Sequence, residues 1–446
     1  LPGLGRSLVT FACAVLVLAP VPAAAEQDEA CSGGERTVRH LIVLDPGTSE
    51  AAARDRVEAA CGDLTGWFPR IAVGVATSTD PGFGTRMGPG RSYGAQDERG
   101  AGRRPVRPSL HANAEVSAAD RSAEQWNLAA VGGPERGSPD VVVGVLDSGI
   151  DPGHPDLAGA VDRENSAGCV GGVADPSERA WEATTSAHGT HVAGIIAAAD
   201  DGKGTTGVAP GTRVASVKVV DDRGLVTPEA VVCGLMWAAE HRMAVTNSSI
   251  AINTWSPSCT GSPGHEVVRE ALSRAVGYAA GQGTLTVAAA TNDALDLTPS
   301  WSEPGTRCDA FPAALRDVVT VSAAGPDGVK AGYSSYGLGV VDLTAPGGDG
   351  DTCVLSTIPG GYGTLCGTSM AAPHVAGAAA VLAAERPGST TRQLRRALEN
   401  RARPVPCPAD YDLTGDGRQD AFCAGYTGYN GFYGHGMVRV SGGAVR

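Results

Sequence analysis

Val141-Val-Val-Gly-Val-Leu-Asp147-Ser-Gly-Ile-Asp151 decides the fold. The stretch is apolar at nearly every position up to Asp147, and Ser148-Gly149 follows at once. Continuous rather than alternating apolar character suits a strand buried on both faces, as in a parallel sheet with helices on each side. A carboxylate at the C-terminal end of such a strand stands where open α/β sheets place their sites.

The same pattern repeats outward from this strand. Apolar, β-branched runs recur at Val214–Val219, Ala244–Ser249, Leu285–Ala290, Val318–Ala323 and Val340–Ala345. Ala-rich helical runs alternate with them at Gly189–Ala199, Pro228–His241, Glu266–Ala280 and Ser369–Ala384. Thr227 before Pro228 predicts a helix start, with the hydroxyl as cap and the proline where no amide bond is lost. The alternation from Trp126 to Leu398 predicts a doubly wound α/β domain with a mainly parallel sheet.

The N-terminal third differs. Arg6, the apolar run Leu8–Leu18 and Ala23-Ala24-Ala25 read as a secretory signal peptide cut after Ala25, with a retained anchor as the alternative. Residues 37–77 read as a small α/β unit: a strand at Val38–Leu44, a helix capped by Ser49 and running to Cys61, and a strand at Ile71–Ala76. Residues 78–122, with Arg99, Arg103, Arg104 and Arg107, lack periodicity and read as an exposed, cleavable linker. The divisions expected are therefore 1–25, 26–122 and 123–446, the last ending in a C-terminal segment at about 404–446.

The formal net charge of −13 offers no basic surface for nucleic acid. No stretch after the signal reaches the ~18 apolar residues of a membrane span. An exported chain meets oxidising conditions, and the cysteines fit that setting. Beyond Cys13, Cys31 and Cys61 remain eight: Cys169, Cys233, Cys259, Cys308, Cys353, Cys366, Cys407 and Cys423. Eight cysteines admit about a hundred pairings. Spacing favours Cys353 with Cys366 and Cys407 with Cys423, and Cys31 can pair with Cys61; buried free thiols are the alternative.

Three segments carry chemistry. Asp147 ends a strand. In His188-Gly-Thr-His191-Val-Ala-Gly a histidine opens a helix of small residues. In Gly367-Thr-Ser369-Met-Ala-Ala-Pro373-His374-Val-Ala-Gly a serine opens another, with Pro373 expected early enough to be tolerated. A serine hydroxyl is a poor nucleophile unless a base lies within hydrogen-bond reach and a third group fixes that base. A helix N-terminus also favours negative charge developing beside it.

These segments, in the order Asp, His, Ser, resemble those of the subtilisin-like serine proteases, over roughly residues 123–400 and on to Tyr433-Gly-His-Gly-Met-Val. The resemblance implies that Ser369 attacks the scissile carbonyl, that His188 takes and returns the proton, and that Asp147 holds the imidazole. It also implies that Asn292, after Thr284-Leu-Thr-Val-Ala-Ala-Ala-Thr291, supplies the oxyanion donor. The family usually has Gly before that Asn and a Ser-Leu-Gly-Gly pocket wall. Here stand Thr291 and Ser249-Ile250-Ala251-Ile252, so the resemblance predicts a narrowed pocket and small residues before the cleaved bond. The unit at 37–77 is similar to the family's inhibitory pro-domain, so self-cleavage is expected between about Arg107 and Gln125. His191 and His374 are expected to be structural, an H-x-x-H zinc pair being the alternative for the first.

Asp412-Leu-Thr-Gly-Asp416-Gly-Arg-Gln-Asp420 resembles a calcium loop, but its twelfth position is Cys423. An acidic turn stapled by Cys407 and Cys423 is the plainer expectation, and calcium the only cofactor in view. The function expected is a secreted, monomeric serine endopeptidase acting on proteins or peptides and held by its own pro-domain. A catalytically silent binding or scaffold protein on the same fold is the alternative. An esterase is a third, without the G-x-S-x-G elbow that would favour it.

Overall fold

The computed structural model describes residues 31–94, 111–113, 119–252, 258–259, 263–299 and 308–441. The expected signal peptide, residues 95–110 and 114–118 of the expected linker, and residues 253–257 lie outside these residues.

The chain begins with β1 (Val38–Val43), α1 (Glu50–Ala59), β2 (Asp63–Phe68), β3 (Val73–Ser78), α2 (Phe83–Met87) and β4 (Ser92–Tyr93). These strands form an antiparallel sheet in the order β2-β3-β1-β4. Ser49 caps α1 as expected, its Oγ accepting from the Ala52 amide at 3.2 Å. The unit runs past residue 77, so residues 78–93 belong to it rather than to a linker. The sequence reading also missed β2. Its register shifts between Leu64 and Gly66, and the bulge breaks the period of two by which strands are recognised.

β5 (His111–Asn113) and α3 (Trp126–Ala130) lead into β6 (Val142–Asp147), β7 (Ala167–Gly168), α4 (Glu178–Trp181), α5 (His188–Ala197), β8 (Arg213–Lys218), α6 (Pro228–Glu240) and β9 (Val245–Ser248). Next come β10 (Ser258–Cys259), α7 (Pro263–Gln282), β11 (Leu285–Ala289), β12 (Cys308–Asp309), β13 (Val318–Ala324) and β14 (Leu343–Pro346). The chain closes with β15 (Val354–Ile358), β16 (Gly361–Leu365), α8 (Thr368–Glu385), α9 (Thr391–Arg401), β17 (Gly425–Tyr426) and β18 (Tyr429–Asn430).

Seven strands form one parallel sheet in the order β14-β13-β11-β9-β6-β8-β7. One apolar cluster joins α5, α8 and α9 to one face, and a second joins α6 and α7 to the other. This is the doubly wound architecture that the all-apolar strands predict. β6 is buried at all six positions because helices cover it on both sides.

One local expectation changes. Pro228 does sit at the start of α6, but the Thr227 hydroxyl makes no capping bond there. Pro373 lies inside α8, which continues through it to Glu385, so the proline is tolerated as expected. Disulfides join Cys31–Cys61, Cys169–Cys233, Cys353–Cys366 and Cys407–Cys423. The pairings that spacing favoured are therefore formed.

Candidate active site

Asp147 ends β6, and His188 begins α5 beside it. The imidazole Nδ1 lies 2.8 Å from Asp147 Oδ1 and 2.9 Å from Oδ2. Oδ1 also accepts from the Ser148 amide at 2.7 Å, which fixes the carboxylate plane. Gly189 lets α5 come this close, because a Cβ there would lie 2.3 Å from the Gly149 carbonyl oxygen and 3.2 Å from Asp147 Oδ1. The Asp147 side chain is 1% exposed and that of His188 15%, so only the imidazole reaches solvent. Burial disfavours the imidazolium, but the charge and hydrogen bond of Asp147 outweigh it and raise the His188 pKa. Nδ1 must carry the proton to bond a carboxylate, which leaves Nε2 with a free lone pair.

Ser369 is the second residue of α8, which starts at Thr368. Its hydroxyl donates to the Ser249 carbonyl at 3.2 Å, not to His188. The Ser249 hydroxyl in turn donates to the Ser369 carbonyl at 2.7 Å. Pro373 explains the second bond. Four residues beyond Ser369, a proline has no N–H to give that carbonyl, and the hydroxyl at the end of β9 replaces it. Sequence reading placed Ser249 in the pocket wall; the structure places it against Ser369. The signal was available in the spacing of Ser369 and Pro373.

Asn292 Oδ1 accepts from the Thr368 amide at 2.9 Å and from the Thr368 hydroxyl at 2.8 Å. That orientation leaves its Nδ2 as a donor over Gly367. Gly367 has φ +155°, and a Cβ there would lie 3.2 Å from Asn292 Nδ2 and 3.6 Å from the Ser369 amide nitrogen. Two N–H donors thus border one small space that only glycine leaves open. Such a space suits an oxygen that gains negative charge.

Thr291 adopts φ +82°, a conformation costly for a β-branched residue. Its hydroxyl lies 2.9 Å from Ser335 Oγ, and its carbonyl accepts from the Ser335 amide at 3.0 Å. Ile250 and Ile252 are buried in the core cluster with α6 and α7, whereas Ala251 between them is exposed.

His191 and His374 pack beneath the site. His191 Nε2 contacts the carbonyls of Val354 and Gly363 at 3.0 and 3.1 Å, which demands an N–H there and leaves no metal-binding lone pair on that atom. His374 Nδ1 donates to the Met370 carbonyl at 2.7 Å, and its Nε2 faces Asn127 Nδ2 at 2.8 Å. Burial lowers the pKa of His191 to about 3 and of His374 to about 4.

The carboxylates of the acidic loop bond its own backbone. Asp412 accepts from the amides of Gly415, Asp416 and Gly417, Asp420 from those of Leu413 and Thr414, and Asp416 from that of Arg418. Among the described residues, ligand-type atoms converge only at Cys31, Cys61 and Asp80, and the two cysteines there form a disulfide.

A family model described as "Subtilase family" matches residues 138–436. The chain belongs to the subtilase family. Subtilisin E of Bacillus subtilis (strain 168) is 35% identical over 305 residues, which cover 68% of this chain and 65% of that protein. Subtilisin of Bacillus pumilus is also 35% identical over 305 residues, covering 68% of this chain and 90% of its own length. Among solved structures, a lanthipeptide protease aligns with a TM-score of 0.54 at 26% identity, over 69% of this chain and 87% of that one. Fervidolysin from Fervidobacterium pennivorans, a keratinolytic enzyme related to subtilisin, aligns with a TM-score of 0.62 at 25% identity. That alignment covers 91% of this subtilase and 60% of fervidolysin.

Proposed function

We propose that this subtilase is a secreted serine endopeptidase working through Asp147, His188 and Ser369, with Asn292 and the Ser369 amide as oxyanion donors. The observation that carries the proposal is the imidazole held through Nδ1 by both oxygens of a buried carboxylate, with Nε2 bare. Catalysis begins when the Ser369 hydroxyl leaves the Ser249 carbonyl and turns to Nε2. Its oxygen bonds the scissile carbonyl carbon while the proton passes to His188, and the imidazolium is stabilised by Asp147. The carbonyl oxygen, now negative, occupies the space over Gly367. Collapse expels the amine, which takes the proton from Nε2. Water then repeats the sequence on the acyl-enzyme and frees Ser369.

The N-terminal unit is the inhibitor in this proposal. Its strands pack on α6 and α7 through one shared apolar cluster that includes Leu41, Val43, Val73 and Tyr93. Arg274 of α7 donates from Nη1 to the carbonyls of Leu44 and Ile71 at 2.8 and 3.0 Å. Arg39 of the unit lies 3.8 Å from the buried carboxylate of Glu229. Self-cleavage between about Arg107 and Gln125 would then free the enzyme.

A serine-directed phosphonate tests the reading. Matured protein is expected to be modified at Ser369, and Ser369→Ala protein to be secreted with residues 26–122 still attached. A matured protein that takes no label would instead be a catalytically silent scaffold.

A further inference from the structure

Lys330, one of three lysines in the chain, is 1% exposed, and no carboxylate among the described residues forms an ion pair with it. Its Nζ lies 5.2, 5.0 and 5.3 Å from the ring centres of Tyr336, Tyr411 and Phe432. Two of these rings come from the C-terminal segment stapled by Cys407–Cys423. The segment also grips the lysine backbone: the Tyr411 hydroxyl donates to the Lys330 carbonyl at 2.9 Å, and the Lys330 amide donates to the Tyr433 hydroxyl at 3.2 Å. Burying an ammonium with no contacting counter-ion is costly, Asp349 acting on it only at longer range, so its other contacts must matter.

Those contacts lead toward the nucleophile. Lys330 Nζ donates to the carbonyls of Ala331 and Ser334 at 2.9 and 2.8 Å, closing that turn. The next residue, Ser335, holds Thr291 through side chain and backbone, and its hydroxyl also accepts from the Leu295 amide at 3.2 Å. The Ala294 amide donates to the Tyr333 carbonyl at 2.9 Å. Residues 291–295 are therefore laced along one side to the turn that Lys330 closes. Thr291 in its left-handed conformation sets the direction of Asn292, one residue on.

We propose that Lys330, held in an aromatic cage by the C-terminal segment, is a positioning residue that keeps Ser335 against Thr291 and so aims the Asn292 amide at the oxyanion. The inference rests on Asn292 being the oxyanion donor. Lys330 touches no reacting atom and acts only through Ser335 and Thr291. An aim error of about 1 Å is enough to cost up to about a hundredfold in turnover.

The test is a double-mutant cycle on the full matured enzyme, with Lys330→Met, Ser335→Ala and the pair, using a chromogenic peptide ending in alanine. Each single change is expected to lower kcat about tenfold and leave KM within about twofold. The pair is expected to lose about tenfold again in total, not a hundredfold, because both act on one path. A kcat within twofold of wild type for folded Lys330→Met, a loss in KM alone, or multiplicative losses in the pair would overturn the proposal. If Lys330→Met does not fold, Tyr411→Phe, which removes only one hydroxyl, takes its place with the same criteria. Phosphonate labelling of the wild type is run beside the cycle. Absence of label there would refute the endopeptidase reading itself, whereas labelled wild type with an unaffected variant would refute only the role of Lys330.

Discussion

At the residue scale, the site depends on two side chains held in unusual states. Asp147 raises the pKa of His188, and the proposed mechanism needs His188 neutral, so activity is expected to fall as pH drops through a value above 6.5. Removing the negative charge lowers that pKa. Asp147→Asn is therefore expected to move the acid limb of the kcat/KM profile to lower pH while cutting kcat by about 10⁴, the precedent of this enzyme class. An unmoved limb would mean that Asp147 does not govern His188. Thr291 is the second such residue. Glycine accepts φ +82° without strain and adds no side chain. Thr291→Gly is expected to raise kcat/KM for phenylalanine relative to alanine before the cleaved bond by about tenfold. An unchanged ratio in a peptide panel would show that Thr291 does not bound the pocket.

At the element scale, what was legible in the sequence and what was not divide along physical lines. The buried strands β6, β11 and β13 and the helices α6 and α8 could be read because burial on both faces, or on a broad stripe, leaves a compositional trace. β4 has two residues and β2 is bulged, so neither leaves a period to detect. The placing of Asp147 and His188 could be read from their element ends, and the structure joins them. The packing of Ile250 and Ile252 into the cluster with α6 and α7 could not, since an isoleucine suits a pocket or a core equally in sequence. Arg274 was equally hidden, as its partners are carbonyls contributed by a distant segment. That contact has a consequence for α7. Charge-assisted bonds are worth about 1.5–3 kcal/mol each, so Arg274→Ala is expected to raise the inhibition constant of the separate 26–122 fragment at least about tenfold. Inhibition titrations that superimpose on wild type would remove α7 as a docking element.

At the scale of the whole molecule, two histidines buried neutral under the sheet couple the fold to acid. The unfolded chain binds their protons near 6.5, the folded one only near 3 and 4. Stability present above about 6.5 is therefore lost as pH falls from there toward 4, because the unfolded state then holds more protons. Ser369→Ala protein, which cannot digest itself, is expected to melt at least about 5 °C lower at pH 5 than at pH 7. His374→Gln should shrink that difference, and equal melting at both pH values would contradict it. The exchange between Ser249 and Ser369 reaches further still. The turn bearing Ser369 lacks one donor of its own and borrows it from a residue 120 positions earlier in the chain. A partly folded polypeptide, with α8 coiled but β9 not yet in place, would leave that carbonyl orphaned. The proposed cutting power would thus arrive only with the completed architecture, so that a chain still folding would have no working apparatus.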